Sequence, residues 1–593
     1  MNLFQGLKIW GMILLFVVSC KKAIKEEVAL TGTKPNIILI MADDQGWGDL
    51  SGSGNTNLKT PNIDAIAHNG VSFENFFVQP VCSPTRAELL TGRHFPRLGV
   101  YETSAGGERM NLGETTLADI FKEAGYKTAA YGKWHNGMQP PYHPNARGFD
   151  DYYGFASGHW GNYFSPMLEH NGEIVQGTGY LADDLTDHSI EFMEKNQKNP
   201  FLLYLPFNTP HSPMQVPDAY WNRFKDKELI QKYQGPEPEN ENFTRAALAM
   251  VENIDYNVGR VMAKLKQLHL EENTIVIYLS DNGPNGWRYN GGMRGKKGST
   301  DEGGVRTPFF VQWKNTLPKG KIVTPIATAL DILPTLSHLA GIAVKTEHPI
   351  DGMDLTPLLF EDDPTWKDRL IFNHWNGSTS IRTQDYRLDA QDRLYDMVKD
   401  HGQMHNISAE YPQLTDSLKT AKASWLSAVM PIEKDDRPFT LGDPDFEFTQ
   451  LPARDAVPHG NIARSNRFPN DTYFTNWIST DDFITWDLEV LADGEFEVQL
   501  YYACAPSDVG TTLSLSHGPS RLTAKVTQAN DAPLKGMEND RDPRMESYIK
   551  DFKPMTLGKI ALKKGRASLA LQAMTIPGEA APEFRLLLFK RLR

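Results

Sequence analysis

The chain has 593 residues, 40% of them hydrophobic and 23% charged. That balance excludes a disordered, collagenous or polytopic membrane protein, and the length implies roughly two to four domains with cores that need no disulfide or metal staple. Lys plus Arg number 61 against 74 Asp plus Glu, a formal charge of −13. The acidic balance excludes general nucleic-acid binding and leaves room for a local basic pocket that takes an anion.

In chain order, Lys8 precedes an apolar run, Ile9–Val18, and then Ser19-Cys20. The run is too short to span a bilayer, which takes about 20 residues, and fits the apolar part of an export signal. Val17-Val18-Ser19-Cys20 resembles a bacterial lipobox, in which the Cys is lipidated and becomes the mature N-terminus. Residues 1–19 are read as a signal peptide and 20–34 as a lipidated polar tether. Two or more acyl chains at Cys20 would anchor the protein to a membrane of the bacterial envelope, the outer membrane on its periplasmic or surface face. A plain cleaved signal would leave it soluble in the periplasm.

From Pro35 onward, strand and helix patterns alternate. Asn36–Met41, Thr128–Tyr131, Phe201–Leu205, Thr274–Leu279 and Phe309–Trp313 are mostly apolar runs, as in strands covered on both faces. Leu117, Ile120, Phe121 and Ala124 share one helical face that stops at Gly125. Leu248, Val251, Ile254, Val258, Val261, Leu265 and Leu268 do the same on a longer helix. The alternation predicts an α/β fold over residues 35–370, a mostly parallel sheet sandwiched by helices.

The residues after four of these strands are polar: Asp43-Asp44, Lys133-Trp134-His135, Thr209-Pro210-His211 and Asp281-Asn282. In open α/β sheets, ligand sites lie beyond the carboxyl ends of the strands. One such group alone is explained by an Asx turn or a structural His; four of them point to one rim. Asp43, Asp44, Asp281 and Asn282 are hard oxygen donors that repel one another without a cation, and they suit Ca²⁺ or Mg²⁺ rather than zinc. Beside them, Lys133, His135, His211, Arg86 and Lys297 offer donors to a tetrahedral oxyanion, sulfate or phosphate.

Residues 82–93 read Cys-Ser-Pro-Thr-Arg-Ala-Glu-Leu-Leu-Thr-Gly-Arg. This run resembles the sulfatase signature of the alkaline-phosphatase superfamily, Cys-x-Pro-x-Arg with a Thr-Gly-Arg extension. Ala42–Gln45, Gly132–His135, Pro210-His211, Ser280–Gly283, and Arg294–Gly298 with Glu302–Gly304 stand in that family's order. The resemblance covers roughly residues 35 to 430, with a C-terminal sulfatase subdomain at 371–430 marked by Arg393–Asp396 and a helix ending near Trp425. It implies an alkaline-phosphatase-like fold. It also implies that a formylglycine-generating maturation enzyme oxidises Cys82 to formylglycine (3-oxoalanine), whose hydrate attacks sulfur. By the same resemblance, Asp43, Asp44, Asp281, Asn282 and residue 82 hold Ca²⁺, with Mg²⁺ as the alternative. His211 is the acid for the leaving oxygen with Lys297 close by, His135 is the base that expels sulfate, and Arg86 and Lys133 hold the hydrate and the sulfate. Splitting one hard step into two easier ones is the gain of covalent catalysis. Lys296 is read as a solvated neighbour of Lys297, with a contact to substrate as the alternative.

The resemblance implies sulfate-ester hydrolysis without fixing the alcohol. His143, His159, Trp160 and Tyr163 lie in polar-aromatic loops that suit a sugar, stacking on its faces and binding its hydroxyls. Trp160 and Tyr163 equally suit packing within a long loop. The expected substrate is a sulfated carbohydrate, an algal polymer such as ulvan or carrageenan, or a glycosaminoglycan. Two further readings are a phosphonate or phosphate monoester hydrolase of the same superfamily and a catalytically dead surface glycan-binding protein. Every expected catalytic position is filled, which counts against the second.

After Trp425 the composition shifts. Residues 431–472, rich in Pro, Asp and Asn, read as a linker or extended edge. From Tyr473, alternation at Phe496, Val498 and Leu500, at Leu513 and Leu515, at Leu569 and Leu571, and at Phe584, Leu586 and Leu588 predicts an all-β sandwich over 473–593. It looks like the jelly-roll modules appended to carbohydrate enzymes; the alternative is a module that covers one side of the active-site cleft. Trp477 and Trp486 are either core or sugar platforms, and Cys504 reads as a small buried hydrophobe.

Overall fold

The structure is a computed structural model that describes residues 34–361, 366–431 and 435–592. The export signal, Cys20 and the tether up to residue 33 lie outside the described residues. Among the described residues, no helix is long and apolar enough to cross a membrane.

Ten strands form the main sheet: β1 (Asn36–Ala42), β2 (Val71–Phe73), β3 (Lys127–Lys133), β4 (Asp151–Phe155), β5 (Met167–His170), β6 (Glu173–Gln176), β7 (Phe201–Pro206), β8 (Thr274–Ser280), β9 (Phe309–Trp313) and β10 (Lys321–Val323). Their spatial order is β10-β2-β9-β8-β1-β7-β3-β4-β5-β6. The central five, β8-β1-β7-β3-β4, are parallel, while β9 runs antiparallel to β8 and β5 antiparallel to β4. β1 is in register with β8 from Asn36↔Thr274 to Ala42↔Ser280 and with β7 from Ile37↔Leu202 to Met41↔Pro206. The carboxyl ends of these strands therefore finish at one level, which is what lets residues far apart in sequence share a site.

β1 shows why the sheet is covered on both faces. Ile37, Leu39 and Met41 pack with residues of α2 (Cys82–Thr91), α3 (Leu117–Glu123) and α6 (Ile332–Leu339). Ile38, Ile40 and Ala42 pack with α1 (Pro61–His68), α4 (Leu181–Asn196) and α5 (Glu241–Gln267). Alternation sends successive side chains to opposite layers, so a strand apolar at every position is required here. Each fully buried Ile or Leu contributes about 1.5–3 kcal/mol. α3 starts at Thr116, whose side chain accepts from the Asp119 amide in a capping box, and α5 at Asn240, which accepts from Phe243.

A four-stranded antiparallel sheet, Ile371–Trp375, Ser378–Arg382, Tyr386–Leu388 and Leu394–Asp396, follows. It packs through Ile381, Leu388 and Leu394 on Leu418 of α7 (Pro412–Val429). The rest of the chain forms two sheets face to face over one core that includes Trp486, Phe496, Val498, Leu515, Leu571 and Phe589.

This sandwich departs from the expected bounds. The stretch 431–472, expected as a linker or extended edge, supplies strands to both sheets. Phe439–Leu441 and Val457–His459 pair with Phe483–Val490, and Phe448–Pro452 pairs with Glu583–Arg591. Leu441, Leu451 and Ile462 enter the core. The Pro and Asp content that reads as a linker belongs to short strands and the turns between them, where a missing N–H is tolerated. Trp477 and Trp486 are fully buried, so neither is a sugar platform. Cys504 is buried, and burial pushes its thiol up to about 11.

Candidate active site

The strand ends deliver their polar residues to one place. Asp43 and Asp44 follow β1, Lys133 ends β3, and Asp281 and Asn282 follow β8. The Asp44 amide donates to Asp281 Oδ1 at 3.1 Å, tying two strand ends together. Asp44 and His135 both adopt φ of 68°, a left-handed conformation that non-glycine residues take at a cost. Both are candidate functional residues, and their neighbours hold them in place: the Asp43 amide bonds to the Thr209 carbonyl and the His135 amide to that of Ala156.

Cys82 is the first residue of α2, a helix buried along its whole length. The helix N-terminus turns its positive end toward residue 82 and favours negative charge developing there. Arg86, one turn on, lies on the same face. Its guanidinium donates to Asp281 Oδ2 at 2.8 and 3.1 Å and to the Lys133 carbonyl at 2.8 Å. Lys133 Nζ donates to Asp43 Oδ2 at 2.7 Å. Lys297 Nζ lies 2.7 Å from Asp44 Oδ1 and 2.9 Å from Oδ2. The Asn282 amide donates to Asp44 Oδ1 at 2.8 Å.

These residues fit a hard divalent cation. Asp43, Cys82 and Asp281 bring one ligand atom each within 4.8 Å of one another, and so do Asp43, Asp44 and His211. Asp43 Oδ1 and Asn282 Oδ1 are buried without a hydrogen-bond partner, which is costly for oxygens that no cation completes. Three carboxylates face three cations here, Arg86, Lys133 and Lys297. The site is thus formally neutral, and a divalent ion would turn it into a receptor for an anion. Burial raises Asp43 against the pull of Lys133 and Arg86. Burial and the neighbouring Asp43 push Asp281 up to about 6. Burial acts on Asp44 too, but Lys297 and His211 hold it well below the usual carboxylate range.

The two histidines differ in tautomer. His135 Nε2 lies 2.8 Å from the Thr103 carbonyl, an acceptor only, so Nε2 carries the proton. Nδ1 is then a bare lone pair, buried without a partner. Burial and Lys133 keep this ring neutral, the form of a base. His211 Nδ1 donates to the Ser212 carbonyl at 2.7 Å, leaving Nε2 3.8 Å from Asp44. Burial and Lys297 lower His211 to about 4. Lys297 is the opposite case: burial alone would lower it, and Asp44 keeps it protonated.

Cys82, His135, His211 and Lys297 open into a cleft of about 340 Å³. Thr103, Ser212, Asn285 and Trp375 line it, and so do Phe468, Asn470, Met545 and Glu546 of the C-terminal module. A larger cavity of about 770 Å³ shares Trp375 and includes Tyr101, Arg97 and Arg437, but none of the catalytic candidates reaches it.

Of the four expected sugar contacts, only His159 lines the cleft. His143 is buried with Nε2 3.3 Å from Glu169 and its ring against Tyr152. Trp160 stacks on Phe155 in the core below the sheet's rim, at 5.2 Å between centroids. The Tyr163 hydroxyl donates toward the carbonyls of His211 and Ser212 at 3.0 and 2.8 Å, so it braces the His211 loop from within. These three pack inward, His143 at the turn before β4 and Trp160 and Tyr163 in the loop after it, which leaves only His159 facing the cleft. Lys296 lies over the Trp287 ring at 4.7 Å. Sequence reasoning missed Trp375 and the four module residues. No motif marks them, since nothing local says that residues 468–546 return to the rim.

The family model described as Sulfatase matches residues 35–342. N-acetylgalactosamine-6-sulfatase of Canis lupus familiaris is 31% identical over 58% of this chain and 69% of its own length. Arylsulfatase G of Rattus norvegicus is 31% identical over 61% of this chain and 76% of its own. The solved structure of Ps i-CgsB in complex with k-i-k-neocarrahexaose is 32% identical, with a TM-score of 0.60 over 66% of this chain and 93% of that one. With its alkaline-phosphatase-like α/β sheet and its rim of acids and cations, the molecule is a sulfuric ester hydrolase. The chain belongs to the sulfatase family.

Proposed function

We propose that this enzyme hydrolyses sulfate esters on a sulfated carbohydrate, with Cys82 acting as its formylglycine derivative beside a bound Ca²⁺, or Mg²⁺ in its place. The observation that carries the reading is the position of Cys82. It sits at a helix N-terminus on the floor of a cleft, within ligand distance of Asp43 and Asp281, with the bare His135 Nδ1, Lys297 and His211 around it. The names of the relatives support a sugar as the alcohol, among them an N-acetylgalactosamine-6-sulfatase and a structure bound to a neocarrahexaose.

Asp43, Asp44, Asp281 and Asn282 would hold the ion together with residue 82. When bound, it supplies Lewis acidity toward sulfate oxygens and favours the deprotonated nucleophile. The modified residue, once hydrated, supplies the hydroxyl that a thiol lacks. A maturation enzyme that generates formylglycine is thus a required partner. The chain's own groups do the rest. Arg86 and Lys133 fix the carboxylates and neutralise charge on the bound ester. His135 Nδ1 is placed to take a proton. Lys297 is the protonated cation of the cleft. An anionic ester would offset Lys297 and Lys133, the cations that now depress His211, and so charge His211 Nε2 for donation to the leaving oxygen.

The test is ion chromatography of sulfate and phosphate released from carrageenan, ulvan, fucoidan and glycosaminoglycan oligosaccharides, an aryl sulfate and an aryl phosphate. The enzyme is co-expressed with a maturation enzyme, and Cys82→Ala is the control. Sulfate from a sugar, reduced at least about 10⁴-fold in the control, is the expected result. Phosphate without sulfate would replace the reading with a phosphate or phosphonate monoester hydrolase. Silence from a preparation whose residue 82 is formylglycine by mass would mean that the panel lacks the right sugar, and silence with an unmodified thiol that the preparation is immature. We also propose export and lipidation at Cys20, on the strength of residues 9–20. Radiolabelled palmitate should enter the wild type and not Cys20→Ala.

A further inference from the structure

Two polar groups of the cleft have no task in the reaction. His159 is 6% exposed and lines the cleft, yet neither of its ring nitrogens has a hydrogen-bond partner. Its ring centroid is 5.7 Å from that of His211. Glu546 lines the same cleft and comes from the sandwich, more than 330 residues further along the chain than His211. It accepts a hydrogen bond from the Ser212 hydroxyl.

Glu546 is held in place by a built connection. Its segment is clamped to the two loops that carry His159 and His211. Gln215 donates to the Gly536 carbonyl and to Asp540 Oδ1, both at 2.9 Å. The Arg541 amide donates to the Met214 carbonyl at 2.9 Å. The Arg544 guanidinium bonds Asp540 and the Gly161 carbonyl, two residues from His159. The position of Glu546 is therefore set as firmly as that of the catalytic loops.

We propose that Glu546 and His159 bind the hydroxyls of the sugar ring that carries the sulfate, and that Glu546 selects a neutral, hydroxyl-rich ring over one bearing a second anionic group. This rests on the sulfatase reading of the cleft. A carboxylate only accepts, and hydrogen bonds from Ser212 and from its own amide leave lone pairs for sugar hydroxyls. A neutral imidazole offers one donor and one acceptor, which a hydroxyl matches in either direction. Phe468 and Met545 at the mouth add apolar surface for the C–H face of the ring. A second sulfate or a uronate at this place would meet the Glu546 charge at short range in a partly dry cleft. The cations that welcome one sulfate, Lys133 and Lys297, are engaged with Asp43 and Asp44, and Arg544 of the Glu546 segment is engaged with Asp540 and the Gly161 carbonyl.

The test compares Glu546→Gln with wild type on three probes: 4-nitrophenyl sulfate, monosulfated carrageenan oligosaccharides and a disulfated, uronate-bearing heparin disaccharide. Gln keeps the shape and removes the charge. The expected result is a loss in kcat/KM on the carrageenan probe that exceeds the loss on the aryl sulfate by about 10-fold or more, expressed through KM, because a site built around hydroxyls loses paired partners. The heparin probe should gain relative to the carrageenan probe. Equal losses on all three probes would overturn the proposal and make Glu546 a brace for the Ser212 loop. No change on carrageenan would also overturn it. Binding of the carrageenan probe to Cys82→Ala, with and without Glu546→Gln, is measured by calorimetry and needs no turnover. Weaker binding without the carboxylate upholds the proposal even if wild type releases no sulfate from any of the three probes, which would overturn the sulfatase reading alone.

Discussion

At the scale of single residues, protonation links the acids to the ion they are proposed to hold. Asp281 titrates near 6 because of burial and Asp43, above its ordinary 3.8. In the metal-free fold this group takes up a proton that the unfolded chain would not. Its contribution to stability is complete below about 4 and gone once the pH has risen through about 6. A divalent ion competes with that proton. The rise in melting temperature caused by Ca²⁺ over a chelator should therefore be large at pH 7 and shrink by pH 5, and an equal rise at both would contradict the ligand set. The acid assigned to His211 has its own signature. Aryl sulfates have good leaving groups and sugars poor ones, so His211→Ala should cost about 10²–10⁴-fold on a sugar ester and far less on 4-nitrophenyl sulfate. Equal losses would shift the role to Lys297. Cys82, Asp43, Asp44, Asp281 and His211 were legible in the sequence because each sits in a short motif directly after a strand or at a helix start. His143, Trp160 and Tyr163 were not, because residue type alone does not say whether an aromatic side chain turns toward a cleft or a core.

At the scale of elements, the apolar runs of β1, β3, β7 and β8 were readable because burial on both faces leaves no polar alternation to confuse with a helix. The strands at 439–459 were not. They are three to five residues long, contain Pro452 and Pro458, and take their stability from partners up to about 140 residues away. The turn after Phe448–Pro452 shows what this costs to misread. It carries Arg454, whose guanidinium reaches Glu108 and Asp455 and lies 3.2 Å from the Ser157 hydroxyl. All of these groups are buried, and Glu108 lies on the catalytic side of the interface near His135. Arg454→Ala would leave two carboxylates uncompensated in a dry interface and should destabilise the fold by about 3–5 kcal/mol in denaturant unfolding. A loss under about 1 kcal/mol would mean that water reaches this junction.

At the scale of the whole molecule, the net charge of −13 says nothing of the cleft, where Arg86, Lys133 and Lys297 balance their carboxylates one for one. The sandwich covers one side of the cleft, one of the two placements its position after the catalytic part allows, through residues that no motif marks. The relatives and the solved structure named above match between 58% and 66% of the chain, so a third or more of it lies outside each comparison. Yet Phe468, Asn470, Met545 and Glu546 reach the cleft, and Asn470 Nδ2 donates to the same Thr103 carbonyl that fixes the His135 tautomer. Gln139 donates to the Gln450 carbonyl and Asp455, Gln450 donates to Glu169, and Arg109 donates to the carbonyls of Arg437 and Pro438. A junction made of buried, mutually dependent hydrogen bonds cannot be opened piecemeal without leaving donors and acceptors unpaired. Unfolding of the sandwich and collapse of the cleft should therefore be one event. Heating the full chain should give a single calorimetric transition, and loss of sulfate release should coincide with exposure of the buried Trp477 and Trp486 followed by fluorescence. If activity disappeared while those tryptophans stayed protected, the sandwich would be an independent appendage, and its hold on the rim would be no more than contact.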